Sequence, residues 1–223
     1  SEFYVFLQEA WFIGDYVYLW LCYSFRMDLS KIDVHQLAPQ LCKPEGSVGE
    51  EVGKVMAQYN TPATLYTIEL LELQPADHVL EIGFGPGEGI AEASRLTPDG
   101  FVAGIDHSET MLKAAEHRNH REVMQEHVEL TLGTAAELPY KEGSVDAIFS
   151  VNVFHFWKDP TKELSECLRV LKPGGRLALY VTHPSSWLKG IEETGLFVAR
   201  EPEEAEQIVR AAGFQNVATR SQV

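Results

Sequence analysis

Short apolar runs alternate with segments of helical periodicity along most of the chain, and this alternation predicts strands joined by crossover helices. The helical spacing is clearest at Leu164, which is followed by Cys167 and by two leucines at i+4 and i+7, all on one core-facing stripe. The pattern therefore predicts an α/β domain over residues 75–223. Its predicted strands are residues 79–82, 101–106, 128–132, 145–151, 177–181 and 214–219.

Two helices are predicted ahead of this sheet. Residues 43–47 have the composition of a turn, and a helix follows them as far as Met56. Thr61 and Pro62 have the residue types of an N-cap and a first helical position, so they predict the start of a second helix that continues to about Leu73. We therefore expect the helical course to break near residue 60 and to start again.

The first 26 residues are unusually aromatic and favour no single structure. Gln8, Glu9 and Asp15 interrupt the apolar run, so stable membrane insertion is not expected, and the features of a signal peptide are missing. Three interpretations stay open for residues 1–26: a helix that covers the functional site, a surface for a dimer or a membrane, or a stretch foreign to the natural protein. The last arises because Met27 resembles a natural start.

Composition limits the classes of function. The chain has 223 residues, of which 45% are hydrophobic, so one globular domain with a sizeable core is expected. The net charge of −15 argues against a broad nucleic-acid surface, because such surfaces need Lys and Arg to neutralise phosphates. The three cysteines and the histidines at 117, 120 and 127 match no metal or disulfide spacing, so we predict reduced thiols, a cytoplasmic location and no metal site.

A glycine-rich turn follows the first predicted strand of the sheet. The apolar run reaches Glu81, and Gly83, Gly85 and Gly87 then alternate with other residues before a helical pattern begins at Ile90. Glycine adopts positive φ freely and has no Cβ, so a ligand can lie directly against the main chain. Free N–H groups at the start of the helix and the carboxyl end of the strand both favour a ligand here.

This turn does not have the spacing of a dinucleotide-binding fingerprint. In the pattern G-x-G-x-x-G the third glycine would fall at Glu88 or Ile90, depending on the register, and a carboxylate at Glu88 is poorly placed beside a pyrophosphate. Asp106 ends the second strand 23 residues after Gly83, near the offset at which a carboxylate meets ribose hydroxyls in such folds. An NAD-dependent oxidoreductase is therefore kept only as a less favoured alternative.

Five segments together resemble class I S-adenosylmethionine-dependent methyltransferases, in the small-molecule group that includes ubiquinone and menaquinone methyltransferases. The similarity covers roughly residues 75–215. The matching segments are E-x-G-x-G-x-G from Glu81, the acid at Asp106, G-T-A-A-E-L-P from Gly133, V-D-A-I-F-S from Val145 and L-K-P-G-G-R-L from Leu171.

The resemblance implies a Rossmann-like three-layer α/β/α sandwich with strand order 3-2-1-4-5-7-6. It also implies an N-terminal helical lid, which would be residues 27–74. The family's seventh strand is antiparallel, and no sequence follows Val223 to form it. That strand is therefore expected to be trimmed, missing or borrowed, and an uncovered edge would favour pairing with a second copy as a homodimer.

The resemblance also assigns residues to the cofactor S-adenosylmethionine. Glu81 would lie near the methionine amine, Asp106 would hold the ribose, His107 would lie over the adenine, and Asn152 would neighbour the methionine part. Thr134 replaces an aspartate that usually accepts from the adenine amino group, which implies softer adenine selectivity. The full set is Glu81, Gly83, Phe84, Gly85, Gly87, Asp106, His107, Thr134, Ala135 and Asn152.

The implied reaction is methyl transfer to an O, N or C atom of a small molecule, with S-adenosylhomocysteine as product. His155 and His183 follow the fourth and fifth strands, so each is a candidate general base. Phe154, Phe156 and Trp157 are candidates for an apolar wall, which favours an apolar or aromatic acceptor. A subunit that binds the cofactor without transferring a methyl group, in a regulatory or partner role, stays open as an alternative.

Overall fold

The computed structural model describes the main chain of residues 3–8 and all of residues 33–220. Seven strands form one sheet in the order β4-β3-β2-β5-β6-β1-β7, and every pairing between neighbours in it is parallel. The strands are β1 (Phe3–Gln8), β2 (His78–Ile82), β3 (Phe101–Asp106), β4 (Val128–Leu132), β5 (Val145–Val151), β6 (Leu171–Thr182) and β7 (Val217–Arg220).

Helices cover both faces of the sheet. Consecutive residues of the central strands alternate between two buried clusters: Leu80 and Ile148 belong to one, and Val79 and Phe149 belong to the other. Such burial on both faces is typical of parallel sheets. The predicted three-layer α/β/α sandwich is therefore confirmed. The helices are α1 (Val34–Cys42), α2 (Gly46–Leu70), α3 (Glu88–Leu96), α4 (Glu109–Arg118), α5 (His120–Met124), α6 (Thr161–Val170) and α7 (Pro202–Ala211).

The position of the expected seventh strand is filled from the other end of the chain. β1 lies between β6 and β7 and runs parallel to both, with Tyr4 opposite Ala178 and Phe3 opposite Val217. The expected antiparallel strand is thus replaced by a parallel one, and none of the three interpretations of residues 1–26 included a strand. Aromatic and β-branched residues favour strands. Residues 9–26 lie outside the described residues.

The predicted helix break near residue 60 is wrong. α2 runs without interruption from Gly46 to Leu70 and includes Pro62, so Thr61 is not an N-cap. The Thr61 hydroxyl donates instead to the carbonyl oxygen of Ala57, at 2.5 Å. The C-terminal half of α2 buries Ala63, Thr67 and Ile68 against the sheet, and this packing outweighs the hydrogen bond that Pro62 cannot donate. Among the described helices, none is both long and apolar enough to cross a bilayer.

Replacing Pro62 with alanine should raise the free energy of unfolding by about 1–3 kcal/mol, because the helix regains one N–H donor and loses a steric conflict. The measurement is urea unfolding followed by circular dichroism. Pro139→Ala, in an exposed loop, is the matched control and should change stability by less than about 1 kcal/mol. A loss of stability on Pro62→Ala would contradict this view and would show that the packing of α2 requires the proline.

Candidate functional site

A cavity of about 420 Å³ lies where the carboxyl ends of β2, β3 and β5 meet helix α2. This is the position at which open α/β sheets bind ligands. Of the twelve residues predicted for the site, ten line the cavity, whereas Gly87 and His183 do not. The ten are Glu81, Gly83, Phe84, Gly85, Asp106, His107, Thr134, Ala135, Asn152 and His155.

The glycine turn presents bare main chain to the cavity. Gly83, Gly85 and Gly87 have φ of 71°, 51° and 90°, a region that side chains disfavour. A Cβ at Gly83 would lie 2.3 Å from a methyl carbon of Val153, whereas one at Gly85 would have no heavy atom within 4 Å. The open space beside Gly85 is therefore available to a ligand.

Helix α4 fixes this turn from behind. Arg118 Nε donates to the carbonyl oxygen of Pro86 at 3.0 Å, and Asn119 Nδ2 donates to that of Gly87 at 3.1 Å. Arg118 also forms an ion pair with Glu88, the first residue of α3. The shape of the turn is thus set by protein contacts and exists without a ligand.

Asp106 faces the glycine turn across the gap between β2 and β3. Its Oδ2 accepts from the Gly85 N–H and its Oδ1 accepts from the Ser108 N–H, each at 2.9 Å. Burial raises the pKa of Asp106, and these two hydrogen bonds oppose the rise. Each carboxylate oxygen has a further lone pair for a hydroxyl donor at the cavity.

Glu81 is a buried carboxylate with an unpaired oxygen. It is 4% exposed, and Oε2 has no hydrogen-bond partner among the described residues. Burial raises the pKa of Glu81 well above its usual value, and the negative charges of Glu88 and Asp106 raise it further. A Cβ at Gly89 would lie 2.3 Å from Glu81 Oε1, so glycine is needed there to make room for the carboxylate. The unpaired oxygen is left for a hydrogen-bond donor on a ligand, and a cationic donor would also offset the negative charge of the carboxylate.

The charges around the cavity are of one sign. Four carboxylates line it, and within the described part of the chain no Lys or Arg side chain does. A pyrophosphate would meet repulsion here, which disfavours NAD. A ligand with a sulfonium and an ammonium group would meet attraction. The four are Glu81, Glu88, Asp106 and Glu163.

His155 lies inside an aromatic cluster at the far end of the cavity. Its ring stacks on Phe197 with centroids 4.9 Å apart and 11° between the planes, and Phe156 and Trp187 contact it edge-on. Burial lowers the pKa of His155 to about 3, and the positive charge of Arg200 contributes. The imidazole is therefore neutral near pH 7, and its Nδ1 has no partner among the described residues.

His183 lies away from this cluster. Its Nδ1 is 2.8 Å from the Ser185 hydroxyl and accepts from the Ser185 N–H, which caps a short turn, and its Nε2 is 3.6 Å from Glu201. The structure thus brings His155 to the cavity and leaves His183 outside its lining.

Asn152 connects the sheet to helix α2. It has a φ of 57°, its Nδ2 donates to Asn60 Oδ1 at 3.1 Å, and its Oδ1 accepts from the Thr182 N–H at 2.8 Å. His107 makes a second connection, because its Nε2 lies 2.8 Å from the carbonyl oxygen of Cys42 at the end of α1. These contacts hold the two N-terminal helices over the cavity.

Sequence reasoning missed many of the lining residues, and three of them matter for the argument below: Asn60, Glu163 and Phe197. Asn60 was interpreted as part of a helix stop, and Glu163 and Phe197 were not considered. Phe197 lies near Arg200, which donates to the carbonyl oxygens of Phe154 and Trp157 and so anchors this segment to the cavity. No short motif marks these residues, because each reaches the cavity through tertiary packing.

The fold and the cavity suit a protein that binds a positively charged ligand at the carboxyl ends of a parallel sheet. A family model described as a methyltransferase domain matches residues 80–179. The chain belongs to the class I S-adenosylmethionine-dependent methyltransferases, and S-adenosylmethionine is its cofactor. The unpaired oxygen of Glu81 and the open side of Gly85 fit that group.

Among curated relatives, the uncharacterized methyltransferase YdaC of Bacillus subtilis is 36% identical over 127 residues, which cover 57% of this chain and 68% of YdaC. Demethylmenaquinone methyltransferase of Symbiobacterium thermophilum is 34% identical over 51% of this chain, and the match spans only 46% of that enzyme. A methyltransferase structure from Aquifex aeolicus shares the fold, with a TM-score of 0.60 and 24% identity over 83% of this chain and 90% of that one.

Proposed function

We propose that this chain transfers the methyl group of S-adenosylmethionine to an O, N or C atom of a small, apolar or aromatic molecule. The observation that carries the proposal is the unpaired, buried carboxylate of Glu81 beside the bare main chain at Gly85. Bound S-adenosylmethionine supplies a methyl group on a positively charged sulfur. The contribution of the chain is to bind and orient both molecules and to exclude water, and such positioning can lower a barrier by about 7–11 kcal/mol.

The proposed cofactor contacts follow the chemistry of the lining. Glu81 binds the amine of the methionine part, because its unpaired oxygen accepts a hydrogen bond and its charge attracts an ammonium group. Asp106 binds the ribose hydroxyls through its remaining lone pairs. Its hydrogen bond from the Gly85 N–H also fixes the position of the glycine turn relative to this carboxylate. Asn152 positions the neighbouring strand ends, since both ends of its amide already bind protein atoms.

The other part of the cavity suits an apolar acceptor. Val55 and Met56 of α2 line the cavity together with Phe156 and Phe197, and among the described lining residues only carboxylates supply formal charge. An anionic acceptor would be repelled, whereas a neutral aromatic ring could pack on these side chains. We infer that α1 and α2, within residues 27–74, act as the lid over this acceptor.

The proposal is tested by incubating the purified chain with S-adenosylmethionine labelled at the methyl group and a panel of phenols, quinols and aliphatic amines. We expect label to move into an organic-soluble, neutral product. Binding of S-adenosylhomocysteine with no transfer to any acceptor would instead favour the non-catalytic subunit.

Of the two histidines considered as a base, His155 lines the cavity and His183 does not, which supports a role for His155 at the acceptor. A pKa near 3 makes it a weak base, so we propose that its neutral ring orients the acceptor through Nδ1. His155→Phe keeps an aromatic ring in the cluster and should raise the KM for the acceptor about 2–10-fold, the effect of one lost hydrogen bond. Its affinity for S-adenosylhomocysteine should change less than twofold.

His183→Phe is the matched control for steady-state kinetics. It should leave kcat and the KM for the acceptor unchanged, because His183 lies outside the cavity lining. A large fall in kcat for His183→Phe, with His155→Phe unaffected, would contradict this assignment.

Two finer expectations belong with this proposal. Cys42 and Cys167 are free thiols, which supports action in the reducing cytoplasm. A homodimer stays a prediction, and sedimentation velocity of the purified chain would test it.

A further inference from the structure

Glu163 presents a second unpaired carboxylate oxygen to the cavity. It lies in the first turn of α6, and its Oε2 is buried without a hydrogen-bond partner among the described residues. A buried acceptor without a donor is unfavourable, so this atom is placed for a ligand that donates hydrogen bonds.

Helix α6 is fastened to the loop that borders the adenine in this family. The Leu138 N–H donates to Glu166 Oε2 at 2.8 Å, and Arg169 Nη2 donates to the carbonyl oxygen of Leu138 at 2.9 Å. Glu163 precedes Glu166 by three residues and therefore lies on the same face of the helix. Glu163 lines the same cavity as Thr134 and Ala135, which begin that loop.

The start of that loop lacks an anionic acceptor of its own. Thr134 is exposed and neutral, and its neighbour Ala135 has no polar side-chain atom. The 6-amino group of adenine is a double donor and needs an acceptor at this end of the site. Of the four carboxylates that line the cavity, Glu81 and Asp106 face the glycine turn and Glu88 is paired with Arg118. Glu163 is the one that remains.

We propose that Glu163, reaching in from α6, accepts the hydrogen bond of the adenine amino group and so replaces the loop residue at position 134 in cofactor recognition. This inference depends on the cofactor site described above. It does not depend on methyl transfer, since S-adenosylhomocysteine carries the same adenine.

The test is calorimetric titration of Glu163→Ala with S-adenosylhomocysteine and with S-inosylhomocysteine, in which an oxygen replaces the amino group. The original chain should prefer the adenine compound. Glu163→Ala should bind S-adenosylhomocysteine about tenfold to a hundredfold more weakly, the range for a lost hydrogen bond to a charged group, and should lose that preference.

A second variant keeps the test decisive. Adding Thr134→Asp to Glu163→Ala returns a carboxylate to the loop and should restore both affinity and preference. Glu137→Ala, on the same loop but exposed and outside the cavity, is the control and should bind like the original chain. Circular dichroism checks that each variant is folded.

Unchanged affinity and preference in Glu163→Ala would overturn the proposal. So would unchanged affinity combined with a raised KM for an acceptor, because Glu163 would then belong to the acceptor site. A chain that transfers no methyl group still gives a clear titration, so failure of the proposed function and failure of this inference are distinguishable.

Discussion

Glu81→Gln should bind S-adenosylhomocysteine at least about a hundredfold more weakly, while the free protein becomes no less stable. The binding loss follows because the amine of the ligand loses a buried, charged partner, and such contacts are worth about 3 kcal/mol or more. Stability is kept because the substitution removes a buried carboxylate whose oxygen is unpaired. Calorimetry and urea unfolding of the same preparations measure the two effects.

The same carboxylate predicts a pH dependence of the ligand-free protein. Because the pKa of Glu81 is raised in the folded state, its proton is bound in both states below the unfolded pKa of about 4.3. As the pH rises from there through the raised folded pKa, the folded state has to release that proton unfavourably, so stability falls. Asp106, whose pKa is also raised, contributes with the same sign.

The urea midpoint of Glu81→Gln should therefore fall less than that of the original chain as the pH rises above the unfolded pKa of Glu81, about 4.3. Glu137→Gln, at an exposed position, should leave the decline as it is. Because burial lowers the pKa of His155, that residue contributes with the opposite sign at acid pH, so the test is the difference between the two chains. A pH dependence in Glu81→Gln identical to that of the original chain would contradict the assignment of the buried charge.

Asp106→Ala should also lower the affinity for S-adenosylhomocysteine by at least about a hundredfold. Two ribose hydroxyls lose their acceptor, and the N–H groups of Gly85 and Ser108 lose theirs, so the turn is no longer held in the shape that receives the ligand. The two unpaired N–H groups should also reduce the free energy of unfolding by about 2–4 kcal/mol.

Calorimetry measures the affinity, and circular dichroism verifies that the Asp106→Ala chain is folded at the titration temperature. Asp106→Asn retains one acceptor oxygen, so its affinity for S-adenosylhomocysteine should lie between those of the original chain and Asp106→Ala. Asp99→Asn, in an exposed turn, should leave the affinity unchanged. Full affinity in folded Asp106→Ala would remove this residue from the site.

Much of the sheet could be predicted because its signals are local. The predicted bounds of β3, β4 and β5 are those that the structure shows. β3 and β5 are short, mostly buried apolar runs, and β4 alternates apolar and polar residues. Gly83, Gly85 and Asp106 were likewise marked by spacing alone, because a turn against a ligand restricts residue type over a few positions.

The errors come from places where tertiary packing decides. Pro62 signalled a helix start, but burial of the apolar residues after it keeps α2 continuous. β1 occupies a position in the sheet that a distant segment had to fill, and nothing near residues 3–8 indicates that pairing.

The cavity shows the same limit. Glu163 lies on a helix whose apolar stripe was recognised, but only the contact between Glu166 and Leu138 shows which way the polar face is turned. Asn60 meets Asn152 across 92 residues of sequence, a pairing that no single-chain periodicity contains.

A crystal structure with S-adenosylhomocysteine tests the central claim most directly. We predict the amine nitrogen within about 3.2 Å of a Glu81 carboxylate oxygen, the ribose hydroxyls within the same distance of Asp106, and the ligand lying against the main chain at Gly85. An adenosine bound elsewhere, or a ribose with no contact to Asp106, would contradict the claim.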